Sequence, residues 1–284
     1  MAQVIKGLWI EDLDDNQARV FQHIKVTGAK KICVRTTASS LKGLLPTFQK
    51  QMGLQVYGWR WPNLYPDPTA KPLDPQHPDP AKDDASYWPN EMARAIDLIN
   101  AGIDGYIFDI ESDAGNPPYP KDWDNKKIVD RAKQAKTFAD GVSEAFKDRK
   151  TPYVLGLTSH QIGFTNYPDI PWQPFLDVCN VLYPQTYWRF RNDVDRCQDE
   201  ASPINDPKHA TGKPEQAVLN AYTDYKGKKD ANGNVLPIIP VAGEIGCITG
   251  DEIKRFEKAT APHNPSEIHF YVDVDDPFEV IGAL

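Results

Sequence analysis

Eight short apolar runs, separated by stretches with helical spacing or turn residues, recur along the whole 284-residue chain. They are Val4–Ile10, Lys31–Arg35, Leu54–Gly58, Gly105–Asp109, Tyr153–Leu157, Val178–Tyr183, Pro237–Ala242 and Ile268–Val272. Each is rich in Val, Ile or aromatic residues and bounded by turn formers, which is how strands read. Between them, helices are predicted over Asp14–Val26, Leu41–Met52, Asn90–Ala101, Asn125–Phe146, Lys213–Lys226 and Asp251–Thr260, with Trp172–Asp177 as a short one. Asn125–Phe146 sets Ile128, Ala132, Ala135, Phe138 and Val142 on one stripe. Thr249-Gly-Asp-Glu252 reads as a capped helix start.

Eight strand–helix units predict a closed parallel barrel, a single (β/α)8 TIM barrel over residues 1–284, and the chain length suits one such barrel. The competing arrangement is an open doubly wound sheet. That would be expected to carry a glycine-rich phosphate loop after its first strand, where this chain has Glu11-Asp-Leu-Asp-Asp15. Acidic residues there repel phosphate. Two long stretches, Pro62–Trp88 and Trp188–Gly212, follow strands and so belong to the C-terminal face, where barrel active sites are built.

The net charge of −8, without a Lys/Arg stripe, argues against a nucleic-acid partner. No stretch approaches the roughly 20 apolar residues of a membrane span. The start, Met-Ala-Gln-Val-Ile-Lys-Gly, lacks the pattern of a secretory signal. The expectation is a soluble monomer, cytoplasmic as made, which could still reach a cell wall by lysis or a partner exporter. The cysteines Cys33, Cys179, Cys197 and Cys247 have no zinc-type spacing. Cys33 reads as a buried small hydrophobe, and whether Cys197 and Cys247 are bridged is left open.

The chemistry concentrates in Asp104-Gly-Tyr-Ile-Phe-Asp-Ile-Glu111. Alternate side chains of a strand share a face, so Ile107, Asp109 and Glu111 point into the barrel and Tyr106, Phe108 and Ile110 toward the helices. Two carboxylates so close favour keeping one protonated near neutral pH. A protonated Glu111 beside an ionised Asp109 suits general-acid cleavage of a glycosidic bond. Asp104 is expected to start the strand and do no chemistry. A metal site or a salt-bridged strand end is the alternative reading of the pair.

The segment resembles the fourth-strand signature of the family-18 chitinases, D-G-x-D-x-D-x-E, with Ile107 at the middle Asp position. The resemblance implies Glu111 as general acid and Asp109 as the residue that positions an acetamido group. The chain is also similar to the family-25 lysozymes (muramidases) in Ile32-Cys-Val-Arg-Thr-Thr-Ala38, Gln55-Val-Tyr-Gly-Trp-Arg-Trp61, Phe108-Asp-Ile-Glu-Ser112 and Tyr183-Pro-Gln-Thr-Tyr-Trp188. It departs from them at Gly7-Leu8-Trp9, where their first strand has Gly-Ile-Asp, so a usual carboxylate is missing unless Glu11 or Asp12 replaces it. Their W-Q-Y motif is absent.

Tyr183, Gln185 and Tyr187 share one strand face. By the chitinase resemblance Tyr187 would hydrogen-bond an acetamido carbonyl, with Gln185 as a sugar contact. Trp59, Trp61 and Trp188, at strand ends, are candidate sugar-stacking rings. Arg35 and Arg60 are placed to bind a substrate carboxylate or to pair with Asp109 or Glu11. His160 is placed to contact substrate or steer Glu111. Glu244, ending the seventh run, offers a retaining mechanism paired with Glu111. Asp273 and Asp275 are further acidic candidates. The expected function is therefore a glycoside hydrolase, using no cofactor, on an N-acetylhexosamine-containing polysaccharide, peptidoglycan or chitin-like. The rivals are a catalytically silent carbohydrate-binding barrel and a metal-dependent hydrolase using Asp109, Glu111 and His160.

Overall fold

The computed structural model describes residues 4–11, 13, 17–64, 87–112, 123–126, 129–188, 212–243, 248–272, 281–282 and 284. Strands β1 (Ile5–Ile10), β2 (Lys31–Val34), β3 (Gln55–Arg60), β4 (Gly105–Asp109), β5 (Val154–His160), β6 (Val181–Gln185), β7 (Val241–Ala242) and β8 (Glu267–Val272) close into one parallel barrel in sequence order. The helices are α1 (Gln17–Thr27), α2 (Ala38–Lys42), α3 (Trp88–Ala101), α4 (Arg131–Phe146), α5 (Gly163–Asn166), α6 (Trp172–Val178), α7 (Pro214–Tyr225) and α8 (Gly250–Thr260). The expected (β/α)8 architecture is the observed one, and the open sheet is excluded because β1 pairs with β8 over Ile5–Ile10. Among the described residues no helix is long and apolar enough to cross a membrane.

Strand alternation divides the core into two shells. The outer shell packs Leu8, Ile32, Val56, Tyr106, Phe108 and Leu182 against the helices. The inner shell fills the barrel with Trp9, Cys33, Tyr57, Trp59, Ile107, Tyr183 and Val241. On β4, Phe108 meets Phe138 of α4 at 5.2 Å and Phe175 of α6 at 5.5 Å between ring centroids. This aromatic wedge fixes the strand that carries the carboxylates. Truncating a buried Phe of this kind costs about 3–5 kcal/mol. Asp104 caps the other end, accepting from Val56 N at 2.8 Å and Gln49 Nε2 at 3.0 Å. Its part is structural.

Three element boundaries differ from expectation for identifiable reasons. The helix expected over Leu41–Met52 starts earlier, because Thr37 Oγ1 accepts from Ser40 N at 3.2 Å as an N-cap. It then breaks, because Pro46 has no N–H to donate, and resumes as a π-helical turn over Pro46–Gln51. The seventh strand is only two residues long, since Pro237 and Pro240 cannot donate to a ladder. Its approach to β6 is kept by Leu182 N donating to Pro237 O at 2.9 Å and Ile239 N to Leu182 O at 2.8 Å. In α4 the buried stripe is Ala135, Phe138, Ala139, Val142 and Phe146. Ala132 is exposed, and Ile128 lies outside the described residues. The capping box at Thr249 is present, with Thr249 N donating to Glu252 Oε2 at 2.9 Å.

Candidate active site

At the C-terminal end of the barrel a cavity of about 290 Å³ is lined by Trp9, Glu11, Arg35, Trp59, Trp61, Asp109, Glu111, His160, Gln185, Tyr187 and Tyr271. Every one is an inward-facing position on a strand or its immediate extension. The register sets Asp109 beside Thr158 and His160 beside Gln185. The β4 carboxylates are therefore flanked by β5 and β6 side chains.

Asp109 and Glu111 form the acidic centre. Asp109 lies deeper, 5% exposed. Burial pushes its carboxyl well above the usual carboxylate range, the charge of Glu111 pushes the same way, and a hydrogen bond with Glu111 adds to it. Arg35 opposes the rise. Burial thus favours the protonated form of Asp109, whereas the sequence expectation placed the proton on its neighbour. Gln185 Nε2 donates to Asp109 Oδ1 at 3.2 Å and also to Glu111 Oε1. One amide thus anchors both acids. His160 Nε2 stands 4.0 Å from Glu111 Oε2, and His160 O accepts from the buried Tyr225 hydroxyl at 2.8 Å.

A second charged group, from β1, β2 and β8, lines the same cavity. Arg35 Nη2 lies 2.5 Å from Glu11 Oε1, and Tyr271 Oη donates to Glu11 Oε2. The Arg35 guanidinium also sits 5.8 Å from the Trp59 ring centroid. The aromatic lining is continuous: Trp9 to Trp59 is 5.7 Å, Trp59 to Tyr271 6.3 Å and Tyr271 to Tyr187 6.2 Å. The Tyr187 ring occupies the space over Gly243, where an added Cβ would come within 1.9 Å of Cδ1. A side chain at 243 would displace Tyr187 from the cavity.

Some sequence expectations require correction. Trp188 is fully buried and packs on Phe256 of α8 at 5.4 Å, so it is core and not part of the cavity. Tyr183 faces inward as expected but lies a layer below, 1% exposed, under Trp9 and beside His269. Arg60 points outward to α3, with Nε 3.0 Å from Glu91 Oε2. Burial lifts the Glu91 carboxyl to about 6 despite Arg60 and Arg94. Glu244, Asp273, Asp275, Cys197, Cys247 and Asp12 lie outside the described residues, as does most of both long loops. The stems of those loops are closed by Trp88 N donating to Asn63 O at 2.9 Å and Gly212 N to Trp188 O at 2.7 Å. Cys33 and Cys179 are buried thiols, and burial raises both.

Two cavity residues, Trp9 and Tyr271, were not anticipated. Their signal is alternation: Trp9 shares a face with Glu11, and Tyr271 with Glu267 and His269. Among the described residues no three His, Cys, Asp or Glu side chains are grouped to hold a metal ion.

No protein-family model matches this chain, and no curated protein matches its sequence. Solved structures do match. A chitinase from Bacteroides thetaiotaomicron superposes with a TM-score of 0.55 at 10% identity, over 99% of this chain and 95% of that one. A protein from Toxoplasma gondii ME49 assigned as a deoxyribose-phosphate aldolase superposes with a TM-score of 0.50, also at 10% identity, over 98% and 91%. The shared property is the barrel. At this identity the likeness extends to the fold alone, and both a glycosidase and an aldolase share it.

Proposed function

We propose that the chain is a glycoside hydrolase acting on an N-acetylhexosamine-containing polysaccharide, with Asp109 and Glu111 as its acid pair. The observation that carries this reading is the pair of carboxyls bridged by the Gln185 amide inside an aromatic-lined cavity. Sugar rings present apolar C–H faces that pack on indole and phenol rings. Trp9, Trp59, Trp61, Tyr187 and Tyr271 offer such surfaces around the acids.

In this mechanism Asp109 passes its proton along their hydrogen bond to Glu111. Glu111, the more exposed of the two, delivers it to the glycosidic oxygen as the bond to the anomeric carbon breaks. Asp109, now ionised, supports either a 2-acetamido group acting as internal nucleophile or the developing oxocarbenium ion. Gln185 keeps both carboxyls in place through the transfer. Water then adds at the anomeric carbon, and its proton returns to Glu111.

The aldolase fold neighbour raises a Schiff-base alternative. That chemistry needs a lysine amine at the reacting carbonyl. Among the described residues that line the cavity there is no lysine.

The test is incubation of the wild-type protein with chitin oligomers, peptidoglycan and a panel of defined glycans, read by mass spectrometry. Cleavage between N-acetylhexosamine residues is expected. Binding of a sugar without cleavage would replace the proposal with a silent carbohydrate-binding barrel. Cleavage confined to glycans without acetamido groups would overturn the substrate class.

A further inference from the structure

Below the acid pair, the barrel interior holds a buried polar ladder that the proposed chemistry does not use. Lys31 Nζ pairs with Glu267 Oε1. Glu267 Oε2 lies 3.0 Å from His269 Nε2. His269 Nδ1 lies 3.0 Å from the indole Nε1 of Trp9. His269 is fully buried, and Trp9 is 3% exposed at the cavity floor. A polar chain of this kind inside an apolar barrel is costly unless every member is satisfied. Its presence beneath the cavity calls for a reason.

The geometry dictates the protonation. An indole N–H can only donate, so Nδ1 of His269 must be the acceptor and its proton must sit on Nε2, facing the Glu267 carboxylate. Burial would push the Glu267 carboxyl up, but hydrogen bonds from His269 and Lys31 and the charge of Lys31 outweigh it and hold the group low. Burial in turn holds His269 below its ordinary value, against the pull of Glu267, so the ring stays neutral. Space is reserved for it as well. A Cβ at residue 7 would lie 2.5 Å from His269 Nε2, so the ring fits only over a glycine.

We propose that His269 is a positioning residue of the cavity: it fixes the plane of the Trp9 ring on which the substrate rests, while Glu267 and Lys31 hold it in the one tautomer that can accept the indole proton. Trp9 then braces Trp59 at 5.7 Å, and through it the rest of the aromatic lining. The substrate part of this statement rests on the glycoside hydrolase reading. The link between His269 and Trp9 does not.

The experiment uses the full chain labelled with ¹⁵N in tryptophan and histidine. In wild type, Nδ1 of His269 should resonate as an unprotonated acceptor and the Trp9 indole proton should exchange slowly. In His269→Leu the Trp9 signal should shift and broaden, and acrylamide quenching of tryptophan emission should rise. KM for N-acetylglucosamine oligomers should rise roughly fivefold to tenfold, the worth of one net hydrogen bond, with kcat changed far less. His269→Gln, which keeps an acceptor, should recover most of the loss. An unchanged Trp9 resonance in folded His269→Leu would overturn the proposal, as would a protonated Nδ1 in wild type. The wild-type spectrum decides the matter if the leucine variant does not fold. If wild type neither binds nor cleaves the oligomers, the hydrolase reading fails while the spectra still decide the role of His269.

Discussion

Asp109 and Glu111, two positions apart on one strand end, are bridged by the Gln185 amide, and burial, with the charge of Glu111, raises the carboxyl of the deeper Asp109. This arrangement costs stability at neutral pH. A carboxyl whose folded value is raised is stabilising below its unfolded value, 3.8 here, and that contribution is lost as pH rises through the folded value. Asp109→Asn removes the burden and keeps an amide of the same shape. It should raise the melting temperature near pH 7 by about 2–4 °C, equivalent to about 1 kcal/mol, while turnover falls at least about 100-fold. Thermal unfolding and a rate measurement on the same preparation check both.

Two tryptophans separate binding from packing. Trp61 is 37% exposed at the cavity and Trp188 is fully buried against Phe256. Trp61→Ala should leave stability within about 0.5 kcal/mol and weaken oligosaccharide binding severalfold. Trp188→Ala should cost about 3–5 kcal/mol of stability, with little change in affinity per folded molecule. Denaturant unfolding alongside calorimetric titration distinguishes the two.

These tryptophans also mark what sequence can and cannot supply. Alternation alone assigns Asp109 and Glu111 inward, and it holds through Tyr183, Gln185 and Tyr187. The same alternation, carried one residue further, turns Trp188 outward. It turns Arg60 outward between Trp59 and Trp61, and it brings Trp9 and Tyr271 into the cavity. The expectation that aromatic rings at strand ends bind sugar overrode that rule for Trp188, and reading Trp9 and Tyr271 as plain apolar strand residues hid them. The upward shift of the Asp109 carboxyl was not legible. It depends on the relative burial of two neighbouring groups, and that is set by Gln185, Arg35 and Glu11 arriving from three other strands.

His269 gives a pH dependence of opposite sense to Asp109. Its folded value is depressed from 6.5, by burial first, although Glu267 pulls it upward and Lys31 pushes it further down. The groups facing it are Lys31 and Cys33 on β2, Tyr183 on β6 and Glu267 on β8. Stability supplied by a neutral buried histidine is complete above 6.5 and is lost as pH falls toward the folded value. Melting temperatures of wild type and His269→Gln, followed from about pH 7.5 down to about pH 5, should converge as the wild type loses more. Parallel curves would contradict this.

A metal-dependent reaction through Asp109, Glu111 and His160 predicts loss of activity on chelation. The acid-pair account predicts that exhaustive EDTA treatment leaves the rate unchanged within error, and that adding back Mg²⁺, Mn²⁺ or Zn²⁺ does not increase it. Loss with EDTA and recovery with one of these ions would favour the metal reading.

The most direct test of the acid pair is hydrolysis of a defined N-acetylglucosamine oligomer in ¹⁸O-water by wild type and Glu111→Gln, read by mass spectrometry with binding measured in parallel. Wild type should place one ¹⁸O at the new anomeric carbon. Glu111→Gln should bind with similar affinity and release product about 10²–10⁴-fold more slowly, the usual worth of a positioned general acid. Equal product formation by the two proteins would contradict the account.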